Sequence, residues 1–268
     1  MPNIITLTTD FGHKDPYVAI MKAVVLSIDP TLTMVDVSHE VAPQDVMDGA
    51  FVLQQSWHHF PGDTVHLVVV DPGVGTPRKA IAVRSQGHFF VGPDNGLIPL
   101  VVSPEAIEAA YELDNSAYWY LDTPSNTFHG RDIFAPVAAH LATGVSISQL
   151  GRSIDSVETL RWALPLSDDS GMQGWVVHVD HYGNCITNIP ADRLARQLHQ
   201  RTLKCYVGNT IIHGFSRVYA DVASGDPILL ASSSGYLEIA IRDGNAAALL
   251  DIRRGSSVSL VYSEENVR

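Results

Sequence analysis

Residues 64–70, TVHLVVV, constrain the fold of this chain more than any other segment. A strand sends successive side chains to opposite faces, so a nearly unbroken apolar run cannot leave either face in water. Such a run belongs in the interior of a sheet covered by helices on both sides, and it delivers Asp71 at its C-terminal end. The flanking pattern supplies the covering layers. Ile4–Thr9 (IITLTT) reads as a second buried strand ending at Asp10-Phe11-Gly12. Tyr17–Ile28 then places Ile20, Val24 and Ile28 at helical spacing, with Asp15 expected as N-cap and Pro16 at the first helical position. Residues 34–37 form a further strand and residues 45–59 a second helix. Residues 80–83 and 88–91 form a hairpin that leads into the turn-rich Gly92-Pro93-Asp94-Asn95-Gly96. This alternation predicts an α/β sandwich around a central, mostly parallel sheet.

The pattern changes after residue 164. Residues 164–174 lapse into Pro, Ser, Asp and Gly and read as a linker. Short strands follow at 175–179, 202–207, 228–231, Tyr236–Ile241 and 257–261, with one helical segment at 191–200. They predict a smaller C-terminal β-barrel, which divides the chain into an α/β domain at 1–165 and a barrel domain at 172–268. The 268 residues, 46% hydrophobic and 17% charged, are enough for two buried cores and exclude disorder. No apolar run approaches the ~20 residues of a membrane span, and the first residues lack a basic stretch with a cleavage pattern, so a soluble, cytoplasmic protein is expected. Cys185 and Cys205 are too few and too far apart for a disulfide framework or a zinc knuckle and are expected to be buried thiols. A formal net charge of -12 opposes binding to nucleic acid and favours a small-molecule partner.

Three polar clusters carry candidate chemistry. Asp10, at a strand end, can accept two hydrogen bonds from the vicinal hydroxyls of a ribose, and equally can cap the following turn. Asp10 and Asp71 are expected to share one crevice beyond the strand ends. Asp71 and Arg78 bracket a glycine-containing loop that can fold them into a bidentate pair, either as part of a site or as a structural salt bridge. His129 stands before Gly130 at the entrance to a helix at 133–141, well placed for proton handling, although it is one of 12 histidines. Two turns in the second domain, 180–184 and 232–235, are hairpin connections or ligand contacts: Asn184 can present donor and acceptor to a base edge, and Tyr182 offers a stacking face. There is no GxGxxG or GxxxxGK[ST] segment, which opposes a dinucleotide site or a P-loop. HxH, HxxxH and HxxEH are absent, His58 and His59 are expected on different helix faces, and no metal site is expected.

LTTDFG at 7–12, VDPGVG at 70–75, GPDNG at 92–96, FHGRD at 128–132, DHYGNCITNI at 180–189 and SSGYLEIA at 233–240 together resemble the adenosine-forming S-adenosyl-L-methionine (SAM) hydrolases. These are also called SAM hydroxide adenosyltransferases and are relatives of the fluorinase and chlorinase. The resemblance spans nearly the whole chain in one order. It implies hydrolysis of SAM to adenosine and L-methionine, with no cofactor and no metal. It also implies a homotrimer whose substrate lies between the N-terminal domain of one subunit and the C-terminal domain of its neighbour. By matching motif, Asp71, Arg78 and His129 correspond to the catalytic triad and Asp10 to the ribose ligand. Asn184 and the backbone at Ala246 correspond to the adenine readers, with Tyr182 packed nearby. Asp180, Ser233, Ser234 and Glu238 correspond to the pocket lining, Asp180 and the serines being suited to the methionine ammonium and carboxylate. The halogenase relatives carry tyrosines where Asp71 and His129 stand and a serine at Gly130, so the chain has the set that organises water. A halogenase and a noncatalytic SAM or adenosine sensor are the alternatives.

Overall fold

The computed structural model describes residues 3–198 and 201–264. The chain divides into two compact units, Met1–Leu160 and Arg161–Arg268. In the first, the elements run β1 (Ile4–Thr9), α1 (Tyr17–Ile28), β2 (Thr33–Ser38), α2 (Val46–Ser56), β3 (Val65–Val69), β4 (Ala80–Ser85), β5 (His88–Pro93), α3 (Leu97–Val101), β6 (Ile107–Glu112) and α4 (Ala135–Ala142). The class is α/β, and the sheet order is β2-β1-β3-β5-β4-β6. Its β2-β1-β3-β5 half is parallel, whereas the β4 hairpin makes β5-β4-β6 antiparallel, so the sheet is mixed.

β3 shows why residues 64–70 are apolar throughout. Val65, Leu67 and Val69 pack with Met21, Val24 and Phe134 into one core, while Val68 and Val70 pack with Leu53, Phe90 and Leu97 into another. His66 is the polar interruption. Its Nδ1 lies 2.8 Å from Thr6 Oγ1 and its Nε2 3.1 Å from His88 Nδ1, inside the sheet. Burial, with the neighbouring His88, pushes the His66 pKa down to about 3.

Several helix termini differ from the sequence pattern. Pro16, not Asp15, occupies the cap of α1; its carbonyl accepts the Ile20 amide at 2.9 Å and no side chain caps the helix. Asp45 does cap α2, accepting from the amides of Met47 and Asp48. Beyond Ser56 the chain tightens into a 3-10 turn, Trp57–His59. The rings of His58 and His59, expected on different faces, lie together there with centroids 4.0 Å apart, and both residues are exposed. The helix expected from residue 133 is preceded by a π turn, Gly130–Phe134.

The second unit contains β7 (Leu166–Ser167), β8 (Gly171–Val179), β9 (Cys185–Pro190), α5 (Ala191–Gln197), β10 (Arg201–Val207), β11 (Thr210–His213), β12 (Pro227–Ala231), β13 (Tyr236–Ile241), α6 (Ala246–Leu249) and β14 (Ser257–Glu264). The order β11-β10-β14-β8-β9-β13-β12 is antiparallel, and Ser216, just beyond β11, bridges to Leu230 of β12 at the opposite edge, nearly closing a barrel. The linker expected at 164–174 is therefore incorrect in part: it holds β7 and the start of β8. Gly171 and Gly174 look like breakers but mark close backbone approach, since a Cβ on either would run into Leu260 or Asn188. β8 turns the barrel corner here, pairing first with β14 and then with β9. Residues 199–200, at the end of the expected helix 191–200, lie outside the described residues. Cys185 and Cys205 are free, buried thiols, both pushed up to about 12 by burial. No helix among the described residues is long and apolar enough to cross a membrane.

Candidate active site

Asp10 and Asp71 leave the C-terminal ends of adjacent parallel strands, β1 and β3, and face one cleft of about 290 Å³ that Phe11, Tyr17, Phe128 and His129 also line. Asp10 Oδ2 accepts the Gln44 amide at 2.7 Å, which fixes the carboxylate against the loop between β2 and α2 instead of capping its own turn. Burial raises the Asp10 pKa, the Gln44 amide opposes that rise, and the Asp71 charge adds to it.

The 71–78 loop consists of two successive turns, with the Val74 amide on the Asp71 carbonyl and the Thr76 amide on the Gly73 carbonyl. They return Arg78 to Asp71. Arg78 Nε donates to Asp71 Oδ1 at 3.0 Å and Nη2 donates to Oδ2, a two-point fork with both side chains less than a tenth exposed. Nη2 also faces His129 Nδ1 at 2.8 Å. A guanidinium can only donate, so Nδ1 is the acceptor and the neutral imidazole carries its proton on Nε2. Burial, followed by the Arg78 charge, lowers the His129 pKa, which keeps this neutral form at physiological pH. Gly75 allows the meeting: its φ is +78°, and a Cβ there would lie 2.5 Å from the Asn126 carbonyl, so only a glycine lets the loop rest on the segment carrying His129.

Two further supports escaped the sequence reading. Asp132 is buried and accepts from Arg131 Nε at 2.6 Å, from Arg131 Nη2 at 3.0 Å and from the Ser125 amide at 2.7 Å, tying down the segment before His129. The Arg-Asp pair after His129-Gly130 is visible within FHGRD at 128–132, but spacing alone gives it no role. Phe11, Tyr17 and Phe128 form an aromatic wall with centroid separations of 5.2–6.0 Å. The three come from separate segments and meet only in the fold, so this wall has no local sequence signal.

In the second unit, Asp180–Asn184 is the β8–β9 turn. Asp180 Oδ1 accepts the amides of Tyr182 and Asn184, each at 2.9 Å, and Oδ2 accepts Asn184 Nδ2 at 2.9 Å. Tyr182 is exposed. The Ala247 amide donates to the Gly183 carbonyl at 2.9 Å, which joins this turn to Ala246 at the start of α6. Glu238 is buried on β13, and its carboxylate accepts the Tyr219 hydroxyl. Burial and then the Asp180 charge raise the Glu238 pKa against the Tyr219 hydrogen bond, and burial with Glu238 raises that of Tyr219. Asp180, Asn184, Glu238 and Ala246 are thus brought together. Ser233 and Ser234 are not: they sit in the β12–β13 turn beside Pro190, at the far end of the β9–β13 ladder from Cys185. Tyr219 was not recognised from sequence, since it meets Glu238 only through folding. Among the described residues no group of three or more His, Cys, Asp or Glu is arranged to hold a metal ion.

The model of the SAM hydroxide adenosyltransferase N-terminal domain matches residues 5–151, and that of the corresponding C-terminal domain matches residues 174–259. A protein of Salinispora tropica named (R)-S-adenosyl-L-methionine hydrolase is 38% identical across 94% of this chain and 95% of its own length. A fluorinase of an Actinoplanes species is 30% identical across 96% of this chain and 97% of its own. The crystal structure of an uncharacterized conserved protein from Thermotoga maritima superposes with a TM-score of 0.87 at 37% identity, covering 96% of this chain and 99% of the other.

Proposed function

The chain belongs to the SAM hydroxide adenosyltransferase family, and we propose that it hydrolyses SAM to adenosine and L-methionine. One observation carries this reading: Asp71 and His129, joined by hydrogen bonds through Arg78, line the same cleft as the Asp10 carboxylate. The sulfonium already activates the substrate. Water oxygen bonds to C5', the C5'–sulfur bond breaks, sulfur keeps the electron pair as neutral methionine, and a proton is released. The protein has only to hold and align the partners. Asp71, Arg78 and His129 are the catalytic residues: Arg78 places positive charge beside the attacking oxygen, and Asp71 and His129 fix the guanidinium and orient water. Asp10, aimed by Gln44, accepts the ribose hydroxyls. Asn184 and the Ala246 backbone read the adenine with Tyr182 beside it, and Asp180, Glu238, Ser233 and Ser234 line the substrate pocket. No cofactor or metal enters the reaction, because the leaving group carries its own activation.

Purified protein incubated with SAM in EDTA releases adenosine and methionine in equal amounts by chromatography. Formation of 5'-halo-5'-deoxyadenosine in chloride or fluoride instead supports the halogenase alternative. Recovery of intact SAM supports a sensor.

We further propose a homotrimer in which the first unit of one subunit and the second unit of the next complete each site. Asp71→Asn and Asn184→Ala chains are each inactive alone in this arrangement. Mixed by denaturation and refolding, they regain about a quarter of parental activity, because about one interface in four pairs the two intact halves. No recovery in a verified mixed trimer places each site within one chain.

A further inference from the structure

We propose that Asn95 is a positioning residue that fixes Asp71 relative to Arg78 by holding the foot of the 71–78 loop. The inference rests on the reading of Asp71, Arg78 and His129 as the water-handling set. The parallel pairing of β3 with β5 ends at Leu67 and Val91, so the carbonyl of buried Val70, one residue before Asp71, lies beyond the ladder. Asn95 Nδ2 donates to that carbonyl at 2.8 Å, doing with a side chain what a strand neighbour does elsewhere. Its Oδ1 accepts the Leu97 amide at 3.2 Å, anchoring the side chain to the start of α3.

The same turn grips the other foot of the loop. The Asp94 amide donates to the Lys79 carbonyl at 2.9 Å, one residue after Arg78, and Arg78 Nη1 donates to that carbonyl at 3.3 Å. Asp94 is itself held, since its Oδ1 accepts the Glu158 amide at 2.8 Å. Residues 94–95 therefore secure the peptide before Asp71 and the Lys79 carbonyl beyond Arg78, while Asn95 does not line the cleft. Of the two contacts that residues 94–95 make with the feet of the loop, only the Asn95 tether runs through a side chain, which makes it the separable element.

Two variants divide the roles of Asn95. Asn95→Ser keeps an oxygen able to accept the Leu97 amide but is too short to reach Val70, whereas Asn95→Ala loses both contacts. The expected result is that kcat for SAM falls by about 10- to 100-fold in both, with KM and adenosine affinity within about twofold of the parent. Asn115→Ser is the control for a lost structural asparagine: Asn115 likewise donates Nδ2 to a carbonyl, that of Gln149, and accepts the Ala117 amide, away from the site. It leaves kcat unchanged. Histidine NMR titration reads the displacement without turnover: burial and then Arg78 lower the His129 pKa while the Asp71 charge raises it, so His129 titrates lower in Asn95→Ser as Asp71 moves away. Parental kcat in Asn95→Ser, or kcat and KM lost together with an unchanged His129 titration, overturns the proposal. Failure of the parent to hydrolyse SAM refutes the hydrolase reading, and the titration still decides the role of Asn95.

Discussion

Arg78→Ala lowers kcat for SAM hydrolysis by about 1,000-fold while leaving adenosine affinity within about threefold of the parent. The asymmetry follows from where Arg78 acts. It forks onto Asp71 and reaches His129 with the same Nη2, so one deletion removes the charge beside the attacking oxygen and the link between the other two groups. Adenosine binding draws instead on Asp10, which is fixed by Gln44 on a different loop. The variant also leaves Asp71, only 6% exposed, as a carboxylate without its partner, a change that costs ~3–5 kcal/mol in buried pairs. Arg78→Lys restores a positive charge without the planar fork, so it recovers stability further than kcat. In Arg78→Ala, His129 titrates higher, because the nearby cation is gone and Asp71 remains. Stopped-flow or single-turnover chromatography with calorimetry on adenosine separates these effects. Loss of kcat under tenfold makes the pair a structural salt bridge, the reading that loop spacing alone leaves open.

What was legible in the sequence was local. Strand ends placed Asp10 and Asp71 as neighbours because parallel strands deliver their C-terminal residues to one edge, and the 71–78 turns brought Arg78 back within eight residues. His129 is marked in the sequence by its place before Gly130 at a helix entrance, but its contact with Arg78 depends on Gly75 letting two distant loops touch. Glycine was also where the reading failed. Gly171 and Gly174 have the composition of a linker and the geometry of a barrel corner, and only the neighbouring strands distinguish the two. The π turn at Gly130–Phe134 has no composition that separates it from an ordinary helix start. Ser233 and Asp180 belong to motifs in one resemblance, yet antiparallel pairing sets their turns at opposite ends of a ladder, a distance that chain order does not encode. Asn95 and Tyr219 act through partners 25 and 19 residues away, on the Val70 carbonyl and the Glu238 carboxylate, so neither has a local signature.

His66 produces the largest expected effect on stability, and it does so through pH. The side chain lies within β3 between Thr6 and His88, with its ring stacked on Phe90 at 5.0 Å. Burial, then His88, holds the folded pKa at about 3 against an unfolded value of 6.5. The unfolded chain therefore takes up this proton before the folded one does. Above the unfolded value the contribution to stability is complete, and as pH falls from 6.5 toward 3 it is lost at ~1.4 kcal/mol per pH unit. His88, also lowered by burial, adds to the loss as pH falls below 6.5. His66→Phe keeps an aromatic ring against Phe90 but cannot protonate. It leaves Thr6 and His88 without a partner, costing ~1–3 kcal/mol at neutral pH. Urea unfolding should then show the parent more stable near neutrality and the variant flatter in acid, with the two curves crossing at about pH 5. Carboxylates, whose unfolded values lie near 4, take over only below that crossing. Parallel curves from neutrality to the crossing would mean that water or local opening solvates His66 and that its burial in the sheet does not control its titration.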